Sequence, residues 1–416
     1  MRRLAARLEP RLLPRLGVRR ASTVAVGVSG GVDSALTASI LRAEGHNVVG
    51  IHMRNWDASE ESPDIAQCIE KEARDARRVC EEVGIGYHEV NFVREYWHDV
   101  FAPLLDGFAA GGTPNPDVSC NRLIKFDRFV DHALSLGADY VATGHYARLE
   151  RAPDGTMNLL TAVDQVKDQS YFLATVKQEA LRRARFPIGH LLKSDVRAMA
   201  SAAGLHPAAK RDSVGICFIG KRNFSQFLSG YLPQSTGPFI CVETGREIGT
   251  HNGYALYTPG QRARVSGCRQ RWYVAGKDVA TNVVHVCEGR DHPALFSRDL
   301  STHAPLWSAG ALPAELREGG ELRCGIRYRH PGPIVPCTVQ EDRDASAPTS
   351  GASDASPPLR ITFEQPVHGV APEQAIALYD GERCLGGATI HQRGRTLWEE
   401  ACALHPPTPS LRTAIQ

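Results

Sequence analysis

The six residues Ser29-Gly30-Gly31-Val32-Asp33-Ser34 constrain this 416-residue chain more than any other stretch. They follow an apolar run at 24–28 that reads as a buried strand, and they lead into 35–41, which reads as a helix. A glycine-rich turn between strand and helix lets backbone N–H groups close round an anion while the helix N-terminus faces the same charge. No Gly-Lys-Ser/Thr follows, so the turn is not a Walker loop. Strand-like stretches at 48–53, 87–92 and 140–143 then alternate with helix-like stretches at 65–83, 96–108 and 124–136. That alternation predicts an α/β fold with a doubly wound parallel sheet. In such a sheet ligands sit beyond the carboxyl ends of the strands. The Ser29 turn, Met53 and Thr143-Gly144-His145 all fall at such ends.

From about Ser213 the texture changes to short apolar pieces separated by Gly, Pro and Asn, which predicts small β-rich modules over 240–290 and 293–395. The stretch 341–358 is poor in apolar residues and reads as a disordered insertion. The expected organisation is a leader at 1–22, a nucleotide-binding domain at 23–212, a cysteine loop with a central module at 213–290, a β-barrel-like module at 291–398 and a tail at 399–416. No apolar run is long enough to span a membrane.

The leader holds seven arginines and one acid, with leucines at 4, 8, 12 and 16 beside an arginine row. This favours an amphipathic targeting segment, mitochondrial first and plastid second, over a disordered basic tail, although Pro10 and Pro14 weaken any long helix. Without it the chain turns from net positive to net negative, so a polyanionic partner would need local basic patches. The cysteines number 11 with no Cys-x-x-Cys, neither a disulfide framework nor a zinc ribbon.

Four further strings matter: Thr113-Pro114-Asn115-Pro116-Asp117-Val118-Ser119-Cys120-Asn121, Thr143-Gly144-His145-Tyr146, Lys167-Asp168-Gln169-Ser170-Tyr171-Phe172 and Asp212-Ser213-Val214-Gly215-Ile216-Cys217-Phe218-Ile219-Gly220. With the Ser29 turn, which resembles the pyrophosphate loop of enzymes that split ATP into AMP and pyrophosphate, this set resembles the tRNA-specific 2-thiouridylases. The match runs in order from about residue 24 to residue 395.

The resemblance implies ATP-dependent 2-thiolation of the wobble uridine of tRNA: adenylation of the base C2 oxygen, then displacement of AMP by sulfur. It implies an ATP site formed by Gly27, Val28 and the Ser29–Ser34 turn, with Met53 and Gly144 nearer the adenosine. Asp33 cannot itself favour an anion and is expected to meet Mg²⁺ or a loop N–H. Cys217 is implied to carry a persulfide and Cys120 to resolve it, leaving a disulfide. Each lies in a Gly/Pro/Asn/Asp-rich segment, unlike a buried filler cysteine. Asp117 could act as a base beside Cys120, or simply cap the helix that follows. Asn115, Pro116 and Asp117 are implied to touch the target base.

Lys167, Asp168 and Gln169 offer a cation, an acceptor and an amide for a nucleotide, or form a surface turn. Arg327 and Tyr328 offer charge and a stacking ring, or lie on an edge strand, and the resemblance assigns them to tRNA. The implied partners are tRNA and a sulfur-donor protein that relays persulfide from a cysteine desulfurase. Three rivals stand beside this reading. One is an iron–sulfur thiolase ligated by Cys120, Cys217 and Asp117, for which the ligand cysteines are few. The others are an amide-forming ATP pyrophosphatase and a non-catalytic adenine-nucleotide-binding protein.

Overall fold

The computed structural model describes residues 21–57, 63–210, 224–232, 234–342 and 356–404. The first part is built on a parallel sheet of β1 (Thr23–Gly27), β2 (Asn47–Arg54), β3 (Gly86–Asn91), β4 (Tyr140–Ala142) and a short β7 (Ala184–Arg185), in the order β3-β2-β1-β4-β7. β1 lies at its centre and is apolar and buried from Val24 onward, as a strand covered on both faces must be. Alternate side chains of β1 enter different cores. Val24, Val26 and Val28 pack with helix α1 (Val32–Ala43), with α2 (Pro63–Val83) and with the helix Lys193–Ala202. Ala25 packs with Phe101, Ile124 and Phe129 on the opposite face.

The helix expected at 96–108 is three joined segments, Val93–Tyr96, the wider π-type turn Trp97–Phe101 and Ala102–Ala109. The next helical stretch starts earlier than the apolar periodicity suggests. It runs through Pro116–Ser119, the π-type Cys120–Arg128 and Phe129–Ser135, with Phe126 out of helical geometry. Phe129 is fully buried and its ring faces Gly27 at the end of β1. Phe129→Ala is therefore expected to cost about 3–5 kcal/mol, read as a lower urea midpoint with an unchanged m-value.

β5 (Arg148–Arg151) and β6 (Met157–Leu160) form a hairpin that leaves the parallel sheet altogether. A second sheet of β8 (Gly237–Cys241), β9 (Glu247–His251), β10 (Arg262–Ala263), β11 (Trp272–Asp278) and β12 (Val283–Glu288) has the order β10-β11-β12-β8-β9 and its own small core around Phe239, Val274 and Val286. The last module uses β13 (Phe296–Thr302), β14 (Leu306–Trp307), β15 (Leu322–Arg327), β16 (Val335–Glu341), β17 (Leu359–His368), β18 (Ala375–Asp380) and β19 (Arg383–Arg393). Six of these strands follow the order β13-β17-β16-β15-β18-β19, and β13 pairs back to β19, which closes a barrel. The β5–β6 hairpin joins this sheet through Leu159 and Leu160 opposite Cys384 and Arg383, so the two ends of the chain share one ladder.

The expected leader lies outside the described residues except for its last two, and the expected insertion at 341–358 lies mostly outside them. The insertion's described ends are strand ends held together by Asp342 N–H donating to Pro358 C=O at 2.8 Å. The tail expected from 399 is partly a helix, Leu397–Leu404, whose first turn is fixed by Glu399 accepting from Thr396 N–H and pairing with Arg393. Among the described residues no helix is long and apolar enough to cross a membrane.

Candidate active site

The turn after β1 is a backbone cradle between a strand and a helix. Ser29 is exposed at its lip, and its N–H donates to Ser34 Oγ at 3.2 Å. Ser34 Oγ in turn donates to Gly31 C=O at 3.2 Å. Helix α1 starts at Val32 with Gly31 in an extended conformation, and no side-chain hydrogen bond caps it. The first N–H groups of a helix have no partner within it, so this end offers donors and a positive dipole to an anion. Gly30 has φ +71°, and a Cβ there would lie 2.6 Å from Asp75 Cβ. Gly144, in the turn after β4, presses so closely on the cradle that a Cβ would lie 2.8 Å from Asp33 C and Ser34 N. Met53, half-buried at the end of β2, has its Cε beside Gly27.

Asp33 is held by side chains from distant parts of the chain. Its carboxylate accepts from Lys193 Nζ at 2.7 and 2.8 Å and from Tyr146 O–H at 2.7 Å. Charge neutralisation by Lys193 keeps this carboxylate from repelling an anion at the helix start. A second lysine, Lys210, donates to Gly30 C=O at 3.2 Å and to Asp75 at 2.8 Å. Burial pushes Asp75 upward, but the bonds from Lys210 and Lys71 outweigh it and hold its pKa below the usual value. The sequence reading missed Tyr146, Lys193 and Lys210 as site residues, and no local motif marks the two lysines.

The segment bearing Cys120 abuts the same strand ends. Phe126 stacks 5.8 Å from His145, the residue after Gly144, and Phe129 faces Gly27. His145 is enclosed and bonded to Thr143 Oγ1 at 2.7 Å, and burial drives its pKa well below the ordinary value. Asn115, not Asp117, is the N-cap: its Oδ1 accepts from Asp117 N–H at 3.1 Å and Val118 N–H at 3.4 Å, with Pro116 in the first turn. The cap reading of Asp117 is thereby corrected, and the carboxyl of Asp117 is left to other work. Burial raises its pKa, with Lys125 pulling the other way. Cys120 is half-buried.

Cys217 lies outside the described residues, as does the rest of 211–223. The described chain stops before it at Lys210, on the cradle. It resumes at Phe224, 5.8 Å from Phe108 in the helix that precedes the Cys120 segment. Seven residues of extended chain reach about 25 Å. The expected Cys120–Cys217 disulfide has one of its partners outside the described residues; elsewhere Cys324 and Cys337 have their sulfurs 3.8 Å apart.

The residues expected to meet tRNA mostly face inward. Asp168 is fully buried and pairs with Arg327 Nη1 at 2.6 Å, and the Arg327 side chain is 7% exposed. Arg327 ends β15 opposite Ala377 of β18 and meets Asp168 there, so this charged residue on a barrel strand is enclosed with its partner. Tyr328 belongs to the barrel core, edge-on to Phe363, with its O–H donating to His368 C=O at 3.3 Å. Gln169 Oε1 accepts from Tyr146 N–H at 3.0 Å, and Gln169 N–H donates to Tyr146 C=O at 2.8 Å. Lys167 is half-buried in a turn ordered by Asp164. Arg327, Tyr328 and Asp168 are thus not presented on a surface where an RNA loop could stack.

Residues 22–221 match the family model described as "tRNA methyl transferase HUP domain", 225–288 "tRNA methyl transferase PRC-barrel domain" and 297–390 "Aminomethyltransferase beta-barrel domain". The chain is similar to tRNA-specific 2-thiouridylase MnmA of Bacillus velezensis, 44% identical over 380 residues, covering 90% of this chain and 97% of the relative. The enzyme of the same name from Lacticaseibacillus paracasei is 44% identical over 372 residues, covering 88% and 93%. That from Alkaliphilus oremlandii is 44% identical over 374 residues, covering 89% and 97%. A solved 4-thiouridine synthetase–RNA complex with bound ATP aligns over 49% of this chain and 46% of its own at 14% identity and a TM-score of 0.30, too slight a likeness to carry any argument. The relatives named here are bacterial enzymes, which overturns the expectation of a mitochondrial or plastid protein.

Proposed function

The chain belongs to the tRNA-specific 2-thiouridylase family, and from that membership we propose how its residues carry out ATP-dependent thiolation of tRNA. It is a sulfurtransferase that uses ATP. The finer reading is that the target is the wobble uridine. Its C2 oxygen attacks the α-phosphorus of ATP and pyrophosphate leaves. Mg²⁺, when bound, draws off the charge that builds on that leaving group. The observation that carries the reading is the backbone cradle at Gly30 to Ser34, wedged by Gly144 and flanked by Lys193 and Lys210, with the helical stretch that bears Cys120 packed through Phe126 against His145, the residue after Gly144.

Within that site the N–H groups at the start of α1 bind pyrophosphate, and Met53 and Gly144 border the adenosine. Cys217 holds the sulfur as a persulfide received from a donor protein. Its terminal sulfur displaces AMP at C2, and Cys120 thiolate attacks the Cys217 sulfur. The S–S bond to the base breaks, thiouridine leaves, and a Cys120–Cys217 disulfide remains for a cellular thiol to reduce. Release of hydrosulfide by Cys120 before the attack on C2 balances equally well. Asn115 shapes the turn beside the base, with Pro116. The reading is tested by AMP and pyrophosphate release: both are expected only when tRNA is present, and equal turnover without tRNA contradicts it.

Asp117 serves as the base that takes a proton in this sequence. A base must be ionised, so its contribution is lost as pH falls through its pKa. Because burial raises that pKa, the acid limb of kcat/KM is expected at higher pH than an ordinary aspartate would give. Asp117→Asn should lower the rate by about 10²–10⁴-fold and flatten that limb in a pH–rate profile.

A further inference from the structure

We propose that the buried Asp168–Arg327 pair is a positioning element of the nucleotide site, through which the C-terminal barrel sets the geometry of the phosphate loop. The inference rests on the ATP-dependent reading above and changes the role of residues that sequence reasoning gives to tRNA. Both oxygens of Asp168 are occupied. Oδ1 accepts from Ala162 N–H at 2.9 Å and Ser170 N–H at 3.2 Å, and Oδ2 accepts from Ser170 Oγ at 2.9 Å and Arg327 Nη1 at 2.6 Å. The next residue, Gln169, grips Tyr146 by its backbone and its side chain. Tyr146 then donates its O–H to Asp33, inside the phosphate loop, at 2.7 Å. A route of short contacts therefore runs Arg327, Asp168, Gln169, Tyr146, Asp33, from a barrel strand to the first turn of α1.

Stability alone does not account for the pair. A buried ion pair gains little over a neutral, well-packed replacement, because desolvation offsets the attraction. Here Arg327 Nε also has no hydrogen-bond partner among the described residues. What the pair does supply is register: one bond of defined length and direction between two parts of the chain 159 residues apart. The barrel is then a component of the ATP site, and any shift of the barrel on its hairpin moves Asp33.

The test uses Asp168→Asn combined with Arg327→Met. This double variant removes both charges together, and the asparagine oxygen still accepts from Ala162 and Ser170. Tyr146→Phe cuts only the last link and keeps the ring. Binding of a non-hydrolysable ATP analogue is measured by calorimetry and tRNA binding by filter retention, alongside thermal melts. In both variants ATP-analogue affinity is expected to fall ~10-fold or more while tRNA affinity stays within ~2-fold. The triple variant should bind the analogue no worse than the weaker of the two, because the links lie in series. A tRNA affinity that falls ~10-fold with analogue binding unchanged overturns the proposal in favour of direct RNA contact. A triple variant that loses the product of the separate effects overturns it in favour of independent sites. The difference in analogue binding between wild type and variants reads the pair even if tRNA turnover fails, so a failure of the thiolation reading shows separately, as absent tRNA-dependent AMP release.

Discussion

Cys120→Ser protein is expected to form thiolated tRNA at a rate lower by on the order of 10³-fold or more, with ATP affinity unchanged. Serine fills the same space at the start of the π-type turns, so the fold of 116–135 stays as it is. What disappears is the thiolate. A serine hydroxyl is scarcely ionised near neutrality and cannot open an S–S bond, whereas a thiolate does so readily. Where the persulfide attacks C2 directly, the variant should accumulate tRNA joined to Cys217 through sulfur, visible as a shifted band that a reducing agent releases. Full turnover by Cys120→Ser would remove Cys120 from the chemistry.

Gly144→Ala is the second large effect, and it acts on the opposite half of the reaction. The new methyl would lie 2.8 Å from Asp33 C and Ser34 N, both backbone atoms, where no flexible side chain can swing away. The first turn of α1 must therefore shift, and the donors aimed at pyrophosphate shift with it. Misplacement of reacting groups by about 1 Å costs ~10²-fold in rate, so kcat/KM for ATP is expected to fall by about that factor. Thiol chemistry at Cys120 should remain, measured as unchanged alkylation by iodoacetamide. Wild-type ATP kinetics in this variant would show that the loop holds no phosphate.

Much of this architecture is legible in the sequence because its signals are local. The apolar run of β1, the glycine turn and the following helix occupy consecutive residues, and the parallel sheet follows from their repetition. The lysines are not legible, because Lys193 meets Asp33 across 160 residues and Lys210 meets Gly30 across 180. No spacing rule connects residues so far apart. Arg327 misleads for the same reason: a charged residue in Arg-Tyr-Arg-His-Pro reads as surface until its buried partner Asp168 is known. Two misses had a signal available. Pro116 in the first turn marks Asn115 as the cap, and Asp154-Gly155 between two short strands marks the β5–β6 hairpin that ties the halves of the chain together.

The most direct measurement is mass spectrometry of tRNA nucleosides after incubation of the protein with unmodified tRNA, ATP, Mg²⁺ and a persulfide donor. Uridine at the wobble position should gain the mass of one sulfur in exchange for one oxygen, only with ATP present. Wobble uridine of unchanged mass, in a reaction where the protein binds both ATP and tRNA, would contradict the account.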